Sequence, residues 1–401
     1  MEPSKYIHAG HLIDGSGGPI QRHVLLTIKD GIITALNRFN PESCPDPART
    51  TNFSHCSITP PLIDSHVHLA MSGTIDKTMR QRQLIADYDS VKPIIVRNVS
   101  DHFNHGILAV RDGGDRRGFV LKWSKSPTQK TLRPIQIQVA GRGWHQKNRY
   151  GSAFGRPLEG SDPTFQELAK ETGPISQVKL FQSGANSLDE FGKETSPQFT
   201  LEELQNIVKI AAKRRLPVMV HANGVLPVQL AVKAGCRSIE HGYFMGRDNL
   251  QRMADHQIFW VPTIFAMKIL THNVIRIVGP KERDIAARNM DSQLKQLALA
   301  RELGVPIALG TDAGSPGVVH GESLVEEMKL VMKAGYSLTE VIKFATSNGA
   351  QLLGLKNEGL IAKGKSANFL VVRGSPTQLP RKLAYLEAIY LNGTPNPLYR
   401  K

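Results

Sequence analysis

Leu62-Ile63-Asp64-Ser65-His66-Val67-His68 is an apolar run that ends in two histidines two residues apart. Side chains alternate across a strand, so His66 and His68 point to one face. Neutral imidazole is a favoured ligand for zinc and similar metals. Taken alone, the pair reads better as two satisfied core histidines.

Working outward, apolar runs alternate with helix signals. Strands are expected at 62–68, 107–111, 135–140, 177–181, 217–221, 238–241, 259–263 and 306–310. Thr200 with Glu203 forms a capping box before 204–213, and Ser337 with Glu340 does the same before 341–346. Repeated βα units predict a parallel sheet with right-handed crossovers. Eight of them predict an α/β fold closed into a (β/α)8 TIM barrel. The irregular stretches 141–164 and 182–199 both follow strands, the side on which barrel enzymes carry their active-site loops. Both chain ends are strand-like instead. Val24–Ile28 and Ile32–Leu36 flank Lys29-Asp30-Gly31, a hairpin signal. Phe369-Leu370-Val371-Val372 and Ala388-Ile389-Tyr390-Leu391 are β-rich runs near Asn392-Gly393. A small β-module of 1–58 plus 357–401, beside a barrel of 59–356, is expected.

The barrel topology changes the reading of the histidine pair. His221 closes Val218-Met219-Val220-His221, His241 closes Ser238-Ile239-Glu240-His241, and Asp312 follows Ile307-Ala308-Leu309-Gly310-Thr311. C-terminal strand ends of a barrel converge on one site. Five metal-competent side chains arriving there together point to a metal centre. Lys179, in Val178-Lys179-Leu180-Phe181, falls at a sixth such position. An unmodified lysine is cationic and repels a metal. It serves as a ligand only as a carbamate formed with CO₂; otherwise it is an ordinary lysine facing water or a substrate carboxylate.

Composition narrows the classes. Lys and Arg number 50 against 35 Asp and Glu, a net charge of +15 over 401 residues. The basic residues are dispersed, and the short run Lys213-Arg214-Arg215 sits at a helix end, where cations are favoured. Aromatics are only 6%, so no base-stacking surface is advertised and no specific nucleic-acid partner is expected. Cys44, Cys56 and Cys236 show no CxxC spacing. The first residues lack a secretory pattern, and no apolar run approaches a membrane span. A cytoplasmic homo-oligomer acting on a small molecule, without a membrane partner, is the expectation.

The motifs resemble the amidohydrolase superfamily over essentially the full length. They are the His66-Val67-His68 run, Val110-Arg111-Asp112-Gly113-Gly114, Val178-Lys179, His221-Ala222-Asn223-Gly224, Ile239-Glu240-His241-Gly242 and Gly310-Thr311-Asp312-Ala313-Gly314. Similarity is greatest to the prolidase-like and imidazolonepropionase-related members. The resemblance implies that the terminal module is a composite β-sandwich. It also implies two divalent metals, Zn²⁺ fitting the ligands best, with His66, His68 and Asp312 on the more buried ion and His221 and His241 on the other. Lys179 would bridge them as N6-carboxylysine. Pro60-Pro61-Leu62 departs from the family's Pro-Gly-Leu, and Asn368 replaces the usual aspartate of the C-terminal motif.

Such a centre brings the pKa of a metal's water to about 7 and polarises a carbonyl. Asp312 is then the proton shuttle in hydrolysis of a C–N bond. Arg111 reads either as a fork for a substrate carboxylate or as part of an Arg111–Asp112 network. His145 and Tyr150, after the third strand, and His320 are further candidates for substrate contact. The leading reading is an amidohydrolase acting on a dipeptide or N-acyl amino acid. The alternatives are a cyclic amidase of the imidazolonepropionase or hydantoinase type, a lactonase or organophosphate esterase, and a non-catalytic scaffold. A deaminase is disfavoured, because many carry glutamate where this chain has Gly224.

Overall fold

The computed structural model describes residues 3–126, 134–158, 174–272 and 277–399. The β-rich ends of the chain meet in one mixed sheet. It comprises β1 (Lys5–Leu12), β2 (Gln21–Lys29), β3 (Ile32–Arg38), β4 (Thr50–Thr59), β14 (Phe369–Arg373), β15 (Ala388–Leu391) and β16 (Thr394–Pro395), in the order β16-β15-β14-β4-β1-β2-β3. The β2–β3 hairpin turns through Asp30 and Gly31, both with positive φ as a tight turn of this hand requires. Ile7, Leu26, Ile58, Phe369 and Val371 give this sheet its own core.

β4 leads within two residues into β5 (Leu62–Val67), which pairs in parallel with β6 (Ile107–Asp112), itself parallel to β7 (Gln136–Val139). A second parallel sheet holds β8 (Gly143–Gln146), β9 (Gly155–Leu158), β10 (Val178–Phe181), β11 (Val218–Ala222), β12 (Ser238–His241) and β13 (Phe259–Val261), ordered β13-β12-β11-β10-β8-β9. Strands β5, β6, β10 and β11 are buried along their whole length, as strands covered on both faces must be. Helices Leu201–Lys213 and Leu338–Phe344 open on the expected capping boxes. The fold is α/β with parallel sheets.

Two expectations are corrected. Segment 141–164, read as irregular, contributes β8 and β9, which pair in parallel. Segment 306–310, read as a strand, is not one. It runs between β13 and β5, with Trp260 N donating to Pro306 O, Ala308 N to Trp260 O and Ser65 N to Leu309 O at 2.8–3.0 Å. The ladder stops because Leu309 N turns to Phe344 O and Thr311 N to Asp64 Oδ1. Among the described residues no helix is long and apolar enough to cross a membrane.

Candidate metal centre

His66 and His68 lie at the end of β5, both fully buried. Each has one ring nitrogen held and the other turned inward. His66 Nδ1 meets Glu240 Oε2 at 2.8 Å, and His66 Nε2 is sealed from solvent without a hydrogen-bond partner. His68 Nδ1 lies 2.9 Å from the Gly114 carbonyl. A carbonyl only accepts, so Nδ1 carries the proton and Nε2 the lone pair. Both Nε2 atoms stand 3.5 Å from Asp312 Oδ1. Asp312 adopts φ +61°, a conformation aspartate tolerates better than most L residues. Its backbone N–H donates to His66 O at 2.8 Å, and Ser315 Oγ donates to its Oδ2 at 2.7 Å. The centre is tight enough to need glycines. A Cβ on Gly113 would stand 2.8 Å from His68 Cε1, and one on Gly310 2.8 Å from His66 Cβ.

His221, on β11, donates Nε2–H to Gly184 O at 3.0 Å, leaving Nδ1 as its lone-pair nitrogen. His241, ending β12, holds Thr263 Oγ1 at 2.6 Å through Nδ1, leaving Nε2. Ring centroids step 5.4 Å from His68 to His66, 5.0 Å on to His241 and 4.6 Å on to His221. Lys179, on β10, is buried with its ammonium 5.4 Å from the Phe181 ring centroid. It forms no ion pair among the described residues.

Burial governs the charge states. Loss of solvent, reinforced by the Lys179 cation, lowers His68 and His221 to about 3 and holds His66 and His241 well below the usual imidazole range. The four imidazoles are therefore neutral, the form that binds metal. Burial also raises Asp312 to about 6 and lowers Lys179 to about 8, the latter against the pull of Glu240 and Asp312. Neutral imidazoles braced at one nitrogen, a sealed orphan nitrogen and a facing carboxylate fit a divalent cation. Among the described residues, His66, His68 and Asp312 converge closely enough to hold an ion together. His221, His241 and Lys179 adjoin that group without joining it.

A cavity of about 220 Å³ opens onto His221, His241 and Asp312, and is also lined by Tyr150, Asn223 and Tyr243. Leu188, Ala266, Met267 and Leu270 supply its apolar wall. A larger cavity of about 660 Å³, beside Val208, Arg237 and Arg252, contains none of these groups. Chemistry, not volume, marks the smaller one as the site.

Residues 57–396 match the amidohydrolase family model. The chain belongs to the amidohydrolase family. The ochratoxinase of Aspergillus niger is 24% identical over 404 aligned positions, covering 93% of this chain and 82% of that protein. The imidazolonepropionase of Paracoccus denitrificans is 29% identical over 181 positions, 43% of this chain and 39% of the relative. A solved Xaa-Pro dipeptidase with bound methionine matches with a TM-score of 0.82 at 24% identity, covering 98% of this chain and all (100%) of that one. At that identity the structural likeness speaks for the fold. Family membership and these hydrolase relatives make the protein a hydrolase of C–N bonds.

The remaining candidates divide. Tyr150 lines the cavity, its ring 5.0 Å from that of His221. His145 is buried on β8 with Nδ1 at 2.9 Å from Gln146 O and Nε2 without a partner. Arg111 does not reach the cavity. Its Nε donates to Ser65 O, Nη1 to Ser238 Oγ and Nη2 to both Glu240 oxygens, at 2.7–3.0 Å. The expected partner Asp112 instead accepts from Leu69 N and Gly114 N. His320 donates Nε2–H to Met71 O and lines a separate cavity against helices Lys77–Ile85 and Tyr88–Asn104. Glu240, which joins Arg111 to His66, was not among the candidates from the sequence. A charged residue inside a buried strand was the available signal. Replacing Glu240 by Gln removes the anion that orients His66, so metal affinity falls 10- to 100-fold by the usual cost of losing such a brace. Metal titration of the variant checks this; unaltered affinity removes Glu240 from the role.

Proposed function

We propose that the protein hydrolyses the amide bond of a dipeptide or N-acyl amino acid at a centre of two divalent metals, most simply Zn²⁺, in a (β/α)8-type barrel. The barrel is residues 59–356, closed by segment 306–310, and the terminal strands form the composite β-sandwich. One observation carries the reading. Asp312 stands 3.5 Å from both His66 and His68 at the floor of a cavity sized for an amino acid. The solved prolidase complexed with N-methylphosphonate-L-proline (TM-score 0.80, 20% identity) shares this fold with a ligand built on an amino acid.

His66, His68 and Asp312 would hold one ion, and His221 and His241 the other. Lys179 would join them as a carbamate: its neutral amine bonds to CO₂ and releases one proton. That conversion would replace a buried cation with no ion pair among the described residues, which is costly, by an anion that metals stabilise. The metals, when bound, supply Lewis acidity toward the carbonyl and activate water. The protein supplies the rest. Asp312 holds the proton of the attacking water on its carboxylate and delivers it to the departing nitrogen. Ser315, donating to Oδ2, keeps Oδ1 aimed at the centre. Tyr150 and Tyr243 offer hydroxyls to the substrate, and Leu188, Met267 and Leu270 receive its side chain.

The test is a metal-replete preparation assayed against dipeptides, N-acyl amino acids, hydantoins, lactones and phosphotriesters. The expected result is amide turnover with kcat/KM of about 10⁴ M⁻¹s⁻¹ or more for the best acyl amino acid. Turnover confined to lactones or phosphotriesters, or none at all, overturns the reading.

A further inference from the structure

Glu327 lies on helix Ser323–Lys333 with its side chain wholly buried. Among the described residues it forms no ion pair. Its two oxygens instead take backbone N–H groups. Ile264 N donates to Oε1 at 2.9 Å and Phe265 N to Oε2 at 2.7 Å. Burial raises its pKa, and the two donors draw it part of the way back. A buried carboxylate is costly, so an apolar side chain of similar volume would be more stable if packing were all the position required.

What the two bonds hold is the segment after β13. Thr263, just past the strand, adopts φ +47°, where a β-branched residue is strained. Such a residue keeps its place only where its surroundings over-determine it. Glu327 fixes the two peptide N–H groups that follow. On the other side, Thr263 Oγ1 meets His241 Nδ1 at 2.6 Å, the one hydrogen bond on that ring among the described residues. The backbone of His241 is tied separately, its carbonyl accepting from Trp260 Nε1 at 2.9 Å. The orientation of the ring therefore depends on where Thr263 stands. The same segment continues into Ala266, Met267 and Leu270, which line the cavity together with Thr263. One carboxylate thus anchors both the brace of a histidine and the apolar wall.

We propose that Glu327 is a positioning residue of the centre: by gripping Ile264 N and Phe265 N it keeps Thr263 where its hydroxyl orients His241 toward the second ion. The inference rests on the two-metal reading for that ion and not on the identity of the substrate. Glutamate suits the position because the two oxygens of one carboxylate each accept one of two successive N–H groups. Glutamine cannot do this, since its amide nitrogen would face one of them donor to donor.

The test titrates the metal-depleted full chain with Co²⁺, follows its absorption spectrum and fits an affinity for each ion. Glu327→Gln should weaken one ion about 10- to 100-fold, the usual loss for a ligand deprived of its brace, and the other less than about twofold. Thr263→Val should give the same pattern, and Thr263→Ser, which keeps the hydroxyl, should restore affinity. The double variant Glu327→Gln/Thr263→Val should bind no more weakly than the weaker single one, because both act through one contact. A residue that only stabilised the fold would give additive losses spread over both ions. The wild type supplies a readout that needs no variant to fold. Metal binding should slow hydrogen exchange in a peptide covering Ile264 and Phe265 about tenfold, since such coupling acts in both directions. Equal weakening of both ions, no weakening of either, additive losses, or exchange unchanged by metal overturns the proposal. The wild-type count of ions tests the two-metal reading separately. A protein that shows this metal response and cleaves no amide overturns the amide reading alone.

Discussion

Asp312→Asn lowers kcat for the best amide substrate about 10³-fold, within the span that a positioned acid–base group contributes. Asparagine keeps the shape and can still accept from Ser315 Oγ at the position of Oδ2. It cannot take up a proton at neutral pH, so the departing nitrogen leaves unprotonated. KM should move far less than kcat, because the loss falls on the transition state. Stopped assays with metal content measured on the same sample separate loss of the shuttle from loss of the ion. A variant that retains both its metal and its kcat would remove Asp312 from the chemistry.

Lys179→Ala is the second large effect. If Lys179 carries the bridging carbamate, metal content falls from about two to about one per chain, and activity falls by about three orders of magnitude or more with the loss of a two-metal clamp. Metal analysis after dialysis gives the count, and the mass of the intact wild type in bicarbonate buffer reports the added CO₂. The side chain is wholly buried, so thermal unfolding of the variant must accompany the assay. A folded variant with unchanged metal content and rate sinks the bridging role.

The parts of this molecule that were legible in the sequence share one property. His66, His68, Lys179, His221 and His241 sit on or at the ends of apolar runs, and strand periodicity fixes which way such residues face. The capping boxes at Thr200 and Ser337 were legible because both partners lie within three residues. What escaped was either distant or anonymous. Arg111 and Glu240 are 129 residues apart, and neither names the other. The braces on His68 and His221 are the carbonyls of Gly114 and Gly184, which every residue possesses. His320, a candidate for substrate contact, instead turns to Met71 O, because burial demands a partner for its N–H. Segment 306–310 has a strand's composition, but a helix-end carbonyl captured the N–H of Leu309 and the Asp64 carboxylate that of Thr311, just beyond it.

The contact of Asp64 with Thr311, two hydrogen bonds across 247 residues, sets a timetable for the molecule. Contacts of such sequence separation form late, because the chain between them must first be ordered. His66 and His68 leave the ribosome well before Asp312 does. If the three hold an ion as proposed, tight capture waits until Asp312 has been made and packed against them. A chain truncated just before Asp312 would display the two histidines with no carboxylate to complete the group, so metal loading would serve as a clock for the folding of this region.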